Sequence, residues 1–191
     1  MLKSDLLEQP EQDRRFGVVA IRSGREVGAD GVLALHEVGC VAQVHRLEPH
    51  ADGRFDVVTS GAGRFRLRGV AHDRPYLVGL VEELPESDGS GAALLATSVA
   101  EAFAAYGRAL AAAGDARVAL PELPGDARTL SYLVAAGMRV DLDDRQALLE
   151  VPDDAARLRA ALALLRRESQ LMRVLSAVPA PELTRAPLSP N

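Results

Sequence analysis

The spacing of apolar residues changes near residue 85, and this change limits the possible folds more than any other feature of the chain. Residues 15–84 alternate between apolar and polar positions, which is the period of a β-strand with one buried face. Residues 85–91, "PESDGSG", are a cluster of turn-forming residues. Beyond them the chain is rich in alanine, with apolar positions three and four apart, as in helices. We therefore predict an α+β fold, with a β half, a loop and a helical half.

The first part of the β half predicts two strands and a hairpin turn. Residues 15–22, "RFGVVAIR", are apolar on both faces and are interpreted as a buried central strand. Residues 38–47, "VGCVAQVHRL", are interpreted as a strand with Gln43 and His45 on its polar face. Asp52-Gly53 predicts the turn, since both residue types tolerate the positive φ of tight hairpins. The apolar face of the second strand carries Val38, Cys40, Ala42 and Val44.

Residues 53–67, "GRFDVVTSGAGRFRL", contain two strand-like runs separated by "SGAG", which we interpret as a tight turn between strands. A dinucleotide-binding loop is not expected, because a strand rather than a helix follows the glycines. The predicted core face carries Phe55, Val57, Thr59, Phe65 and Leu67. Arg64, Arg66 and Arg68 alternate with that face and are predicted to point into water. Residues 75–84, "PYLVGLVEEL", complete a curled antiparallel sheet or small barrel.

The helical half contains several helix signals. Half of residues 92–113 are alanine, and Gly114 is the expected stop of that helix. Asp126 and Asp141 are predicted N-caps, the latter with Asp144 in an approximate capping box. The last helix is predicted to open at Pro152, with Asp153 and Asp154 at its positive end. The predicted apolar stripe of the helix after Asp126 comprises Leu130, Leu133, Val134 and Gly137, and the seam of the last helix comprises Leu158, Leu162, Leu165, Met172 and Leu175.

Composition restricts the class of protein. With 48% hydrophobic residues and a net charge of −5, the chain is expected to be soluble and globular, and its charge disfavours nucleic-acid binding. The single cysteine, Cys40, excludes an internal disulfide, and the start of the chain lacks the apolar core of a signal peptide. Glu101 and Arg108 interrupt the longest alanine-rich tract, so no membrane span is expected. We expect a cytoplasmic protein.

Two blocks of the sequence resemble a known family. "GCVAQVHRLEPHADGRFDVVTSGAGRFRL" followed by "PYLVGLVEELPE" resembles the β portion of the substrate-binding domain of Lon proteases, and residues 144–168, "DRQALLEVPDDAARLRAALALLRRE", resemble its helical portion. The resemblance implies a PUA-like antiparallel β pseudo-barrel followed by an α-helical bundle. The turn cluster at 85–91 and the prolines near the end of the chain give the expected boundaries: 1–86 for the β subdomain, 87–176 for the bundle and 177–191 for a proline-rich flexible tail. The resemblance also implies capture of unfolded or damaged polypeptide segments.

The sequence departs from the family pattern at its start. A "PLFPL" type strand and a "PLHIFEPRY" type segment usually begin family members, and neither is found here. Two interpretations stay open. The first strands are missing and an open strand edge permits a homodimer, or the true start of the chain lies upstream.

No catalytic, cofactor or metal site is expected. A Walker loop and a serine–lysine dyad both need a lysine, and Lys3 is the only one, so we expect a stand-alone domain without ATPase and peptidase modules. His36 and Cys40 in "HEVGC" lack a third metal ligand nearby. No serine lies in a G-x-S-x-G elbow. A run of close carboxylates is interpreted as a solvated loop; it comprises Glu82, Glu83, Glu86 and Asp88.

Three functions are weighed from this sequence. The leading hypothesis is a non-catalytic domain that binds unfolded polypeptide, or another protein partner, through apolar surface or a strand edge. The first alternative is RNA binding through the PUA-like half, although no aromatic residue lies on the arginine face to stack a base. The second alternative is a helical scaffold that docks a specific partner through the seam at Leu162 and Leu165. The residues that contact the client are not assigned.

Overall fold

The computed structural model describes residues 14–24, 32–72, 76–112 and 122–177. The strands are β1 (Arg15–Val18), β2 (Ile21–Gly24), β3 (Val32–Leu35), β4 (Val38–Pro49), β5 (Phe55–Ala71) and β6 (Val78–Leu84). The helices are α1 (Ala92–Ala112), α2 (Ala127–Gly137), α3 (Leu142–Glu150) and α4 (Asp154–Ala177). The described part of the chain divides into a sheet unit, up to Ser87 and again from Val140 to Pro152, and a helical unit made of Asp88–Arg139 and the residues from Asp153 onward.

The sheet unit contains a four-stranded antiparallel sheet in the order β1-β4-β5-β6 and a two-stranded ribbon of β2 and β3. The turn predicted at Asp52-Gly53 is confirmed. It joins β4 to β5, with Pro49 paired to Phe55 and Gly53 at a φ of +84°. The antiparallel sheet with separate helices confirms the predicted α+β fold.

The turn predicted at "SGAG" is wrong. Ser60 to Gly63 lie inside β5, which runs without interruption from Phe55 to Ala71. Along this stretch Gln43 pairs with Ser60, Ala42 with Gly61 and Val41 with Gly63, so Ala62 is the extra residue of a β-bulge. Glycine-rich sequence is common both in turns and in bulged strands, and only the pairing with β4 distinguishes the two here.

The buried central strand predicted for residues 15–22 is also wrong. The segment forms two short strands in different sheets, and β1 lies at one end of the four-stranded order, pairing with β4. Its side chains are largely exposed, including Val18 at 46%. The chain passes from the four-stranded sheet to the two-stranded ribbon at Val19 and Ala20. The apolar residues of this run therefore belong to two short strands and not to one strand with two apolar faces.

Helix α3 belongs to the sheet unit, although it lies within residues 87–176, which were predicted to form the bundle. It begins after Asp141, whose side chain accepts a hydrogen bond from the Asp144 backbone N–H at 2.8 Å, as the capping pattern predicted. The Gln146 amide donates to the Val38 backbone oxygen of β4 at 2.9 Å, and this contact is buried. The boundary predicted between residues 86 and 87 therefore leaves out a later segment that returns to the sheet.

The helical unit is built from α1, α2 and α4. Asp126 caps α2 as predicted, accepting a hydrogen bond from the Thr129 backbone N–H at 2.9 Å. Helix α4 begins at Asp154 rather than at Pro152, and the preceding Asp153 accepts a hydrogen bond from the Ala156 N–H at 2.7 Å. Gly114 and residues 178–191 of the predicted tail lie outside the described residues, as does the side chain of Leu175, whereas Ala177, the first residue of that tail, ends α4.

The predicted helical seams are confirmed in part, because Leu130, Val134, Leu158 and Leu165 lie in the core of this unit. The buried apolar residues of this unit are Ala92, Val99, Phe103, Tyr106, Leu130, Val134, Met138, Ala155, Leu158, Ala161 and Leu165. Leu133, Leu162 and Met172 of the predicted stripes are half-buried. A buried ion pair, Asp154 with Arg157 at 2.8 Å, lies in the same core, and the Arg157 guanidinium also donates to Ser131 Oγ and stacks on the Tyr132 ring.

Among the described residues, no helix combines the length and the apolar character needed to cross a membrane.

Candidate functional site: an apolar groove on the sheet

One face of the sheet unit lines an apolar cavity of about 350 Å³, which we name the apolar groove. This volume is at the lower end of the roughly 300–1,000 Å³ that is usual for ligand pockets. Its large side chains come from four strands and the residue before β6. They are Leu35, Val41, Phe65, Leu67, Val70, Leu77 and Val81, with Gly17, Val19 and Gly79 completing the lining.

The strand register produces this face. Gly39 pairs with Phe65 and Leu67 pairs with Val81, so these positions project to the same side of the sheet. The Phe65 ring forms the floor and is 4% exposed. A Cβ atom at Gly39 would lie 2.6 Å from Phe65 Cζ and 2.6 Å from the Val18 backbone oxygen. The glycine therefore makes room for the aromatic floor.

The rim of the groove is exposed although it is apolar. Leu77 and Val81 are 51% and 49% exposed, and both line the cavity. Single exposed apolar residues are common on protein surfaces, whereas a contiguous patch joined to a concave pocket is typical of a binding site. The groove therefore combines a buried floor with an accessible apolar rim.

The opposite face of the sheet carries the arginines, and the prediction that all three point into water is wrong. Arg64 does alternate with Phe65, but it is 3% exposed. Its guanidinium donates to Glu86 Oε1 at 2.8 Å and to the backbone oxygens of Leu149 and Val151 at 2.7 and 2.6 Å. These carbonyls are at the C-terminal end of α3, so Arg64 fixes that helix end to the sheet.

The other two arginines do not make a basic stripe. Arg66 is half-buried and pairs in register with Glu82, and Arg68 is exposed with its Nε donating to Glu82 Oε2 at 2.8 Å. Since Arg64 is buried and Arg68 is paired with a carboxylate, this face offers few free cations to a phosphate backbone. The RNA-binding alternative is not favoured.

The predicted solvated carboxylate loop is also corrected. Glu82 and Glu83 lie on β6 rather than in a loop. Glu86 is 20% exposed in its ion pair with Arg64, and Asp88 pairs with Arg128 at 2.9 Å. Glu86 and Asp88 thus each lie against a guanidinium, whereas Glu83 is exposed and makes no ion pair with the residues that the structure describes.

The residues that line the groove do not include a histidine or Cys40. His36 Nδ1 is 3.5 Å from Glu150 Oε1, and His45 Nε2 is 2.7 Å from Ser60 Oγ. Cys40 is half-buried, and burial raises the pKa of its thiol, which disfavours the reactive thiolate at neutral pH. In the described ranges, histidine, cysteine and carboxylate side chains do not gather into a cluster of three that could hold a metal ion.

A second cavity, of about 650 Å³, lies within the helical unit near the starts of α1 and α2. Its lining includes Gly91, Leu94 and Asp126, together with the paired Asp88 and Arg128. The Thr129 hydrogen bonds lower the pKa of the Asp126 carboxyl, which keeps the cap ionised. The polar groups of this cavity cap a helix or pair with each other, as Asp126 and the Asp88–Arg128 pair do. The apolar groove is therefore the better candidate site.

The groove was not predicted from the sequence, although the alternation of residues along β6 indicated which of its side chains share a face. The alternation in β6 shows that Leu80 and Val81 point to opposite faces. The sequence does not show whether it is Leu80 or Val81 that points toward a concave surface. That distinction depends on the position of β6 beside β5, which brings Val81 opposite Leu67.

Comparison with known proteins gives consistent matches. The family model of the ATP-dependent protease La (LON) substrate-binding domain matches residues 3–167. Lon protease 2 of Myxococcus xanthus is 27% identical over 176 residues, covering 87% of this chain and 20% of that protein. Lon protease 2 of Sorangium cellulosum (strain So ce56) is 29% identical over 171 residues, covering 83% and 20%. The chain thus spans about a fifth of the length of these relatives.

A solved structure shows the same fold. The N-terminal domain of the Mycobacterium avium complex Lon protease superposes with a TM-score of 0.51 at 20% identity, covering 72% of each chain. The family model that matches describes the substrate-binding domain of these proteases. The matches confirm the resemblance seen in the sequence, and this chain belongs to the Lon substrate-binding domain family.

Proposed function

We propose that this domain binds unfolded or damaged polypeptide segments, and that the apolar groove is where their apolar side chains insert. Membership of a substrate-binding family supports a role in recognising protein substrates. The single observation that carries the proposal is the exposed apolar rim, Leu77 and Val81, above a buried aromatic floor. Unfolded chains expose the apolar side chains that folded proteins bury, and those side chains suit such a pocket.

The scaffold alternative lacks comparable support. It requires the seam of α4 to be available to a partner, but Leu165 is 1% exposed and Leu162 is half-buried within the helical unit. Charging these residues would disrupt the core of that unit rather than remove a docking surface.

The test compares two neighbouring residues on β6. Val81→Asp places a charge on the groove face, and Leu80→Asp places the same charge on the opposite face, where Leu80 is 70% exposed. The probe is fluorescein-labelled α-lactalbumin that has been reduced and carboxymethylated so that it stays unfolded. We expect Val81→Asp to weaken binding about tenfold or more by fluorescence anisotropy, since a charge in an apolar site loses its hydration. Leu80→Asp should bind like the native protein.

Equal affinity of the native protein and both variants would contradict the proposal. Circular dichroism of the two variants controls for folding, because both changes are at exposed positions of the same strand.

A further inference from the structure

Strand β6 is an edge strand that adjoins the apolar groove. Of the strands in the described ranges, β6 pairs with β5 alone, and six of its seven residues are exposed. An edge strand presents unpaired backbone N–H and C=O groups that can accept another strand. We propose that the client segment adds to β6 as an antiparallel strand, and that a basic side chain opposite Glu83 selects it. This inference rests on the proposed function and specifies the chemistry of the client.

The register of β6 defines which client side chains reach the groove. Gly79 and Val81 line the cavity, and Glu83 follows on the same face at the next alternate position. In an added strand, residues opposite these three positions face the same side. Two client side chains therefore lie on the groove side of the sheet, next to Gly79 and Val81, and a third lies against the Glu83 carboxylate.

The negative charge of Glu83, on the groove face of β6, determines which type of client residue lies opposite it. Glu83 is exposed and makes no ion pair within the part of the chain that the structure describes. Its neighbour Glu82 projects to the opposite face, where Arg68 pairs with it. Like charges placed directly opposite each other destabilise a sheet, whereas opposite charges stabilise it. An antiparallel client therefore has the order basic–x–apolar–x–apolar.

The same charges disfavour a second copy as the occupant. Two copies that paired along β6 would bring both copies' Glu82 and Glu83 to the shared edge. This concentration of carboxylates opposes self-pairing and favours a basic client. The homodimer expected from an open edge is therefore an alternative occupant of β6, and the test must distinguish it from a bound client.

The probe is a fluorescein-labelled peptide with the core Lys-Thr-Leu-Thr-Leu flanked by Gly-Ser, and its control has Glu in place of Lys. We expect the Lys peptide to bind more tightly. Glu83→Gln should weaken its binding about two- to fivefold, the size of an exposed ion pair. Glu82→Gln, on the opposite face of β6, should leave the affinity unchanged.

Backbone methylation separates strand addition from side-chain insertion. Successive amides of an extended strand point to opposite edges, so methylating the Thr amides or the Lys and Leu amides blocks one edge each. We expect one methylated peptide to lose about tenfold or more in affinity, because it loses hydrogen bonds to β6, and the other to bind normally.

Equal binding of both methylated peptides, or no effect of Glu83→Gln, would overturn the inference. The proposed function would still stand if Val81→Asp weakened binding of the unfolded α-lactalbumin. Failure of every peptide to bind while that protein binds would also overturn the inference. A concentration-dependent dimer in analytical ultracentrifugation that Glu83→Gln strengthens would show that a second copy occupies the edge.

Discussion

At the scale of single residues, Gly39 is required by the aromatic floor of the groove. Phe65 Cζ occupies the space in which a side chain at position 39 would begin. Gly61 lies on β5 and has nothing within 4 Å of the place of its missing Cβ. Two glycines that look alike in the sequence therefore have different structural roles.

We predict that Gly39→Ala lowers the free energy of unfolding of the sheet unit by about 1–3 kcal/mol, the usual cost of overpacking a core. Gly61→Ala, the control, should change it by less than about 0.5 kcal/mol. Urea unfolding followed by circular dichroism measures both, which suits a chain without tryptophan. Equal losses for the two variants would contradict the assigned position of Phe65.

Arg64 is a structural residue rather than a ligand-binding residue. It joins Glu86 and two carbonyls at the end of α3, and it is buried. Arg68 is 50% exposed and pairs with Glu82. Arg68, the same residue type four positions away, is therefore expected to contribute much less to stability than Arg64.

Arg64→Met keeps the aliphatic stem and removes the guanidinium. We expect a loss of about 3 kcal/mol in stability, as for a broken buried ion pair, and faster hydrogen exchange in α3. Arg68→Met should cost less than about 1 kcal/mol and leave the exchange of α3 unchanged. Slow exchange in α3 of the Arg64 variant would show that this contact does not hold the helix.

At the scale of elements, the starts of α2 and α3 were predicted from sequence because their signals are local. Asp126 and Asp141 each precede their helix and each accept a backbone hydrogen bond three residues on. The placement of α3 was not predicted, because its contact with β4 is made by Gln146, more than 100 residues away from Val38. The error at "SGAG" has the same origin, since pairing with β4 decides between bulge and turn.

The cap of α2 should depend on pH. The folded pKa of Asp126 lies below its ordinary value near 4, so its stabilising contribution is fully present above that value and is lost as the pH falls through the folded pKa. We expect the protection of the Thr129 amide against hydrogen exchange to decrease on acidification below about pH 4. Asp126→Asn keeps a capping side chain without the charge, so protection should be independent of this titration. An identical pH dependence in both proteins would contradict the assigned role of Asp126.

At the scale of the whole molecule, the family and fold class followed from the sequence, but the groove did not. The alternation of "VGLVEEL" predicts a strand, and it is the same whether Leu80 or Val81 faces a concave surface. Exposure of apolar side chains at the groove rim is a tertiary property. For the same reason, the alternation of Arg64 with Phe65 was predicted correctly and its burial was not.

The most direct test of the binding site is an NMR titration of isotope-labelled protein with the unfolded α-lactalbumin. If the apolar groove receives the client, the methyl signals of Val41, Leu67, Leu77 and Val81 should shift in a saturable way, while those of Val99 and Val134 in the helical unit stay in place. Shifts confined to the helical unit, with no change at the groove, would contradict the account.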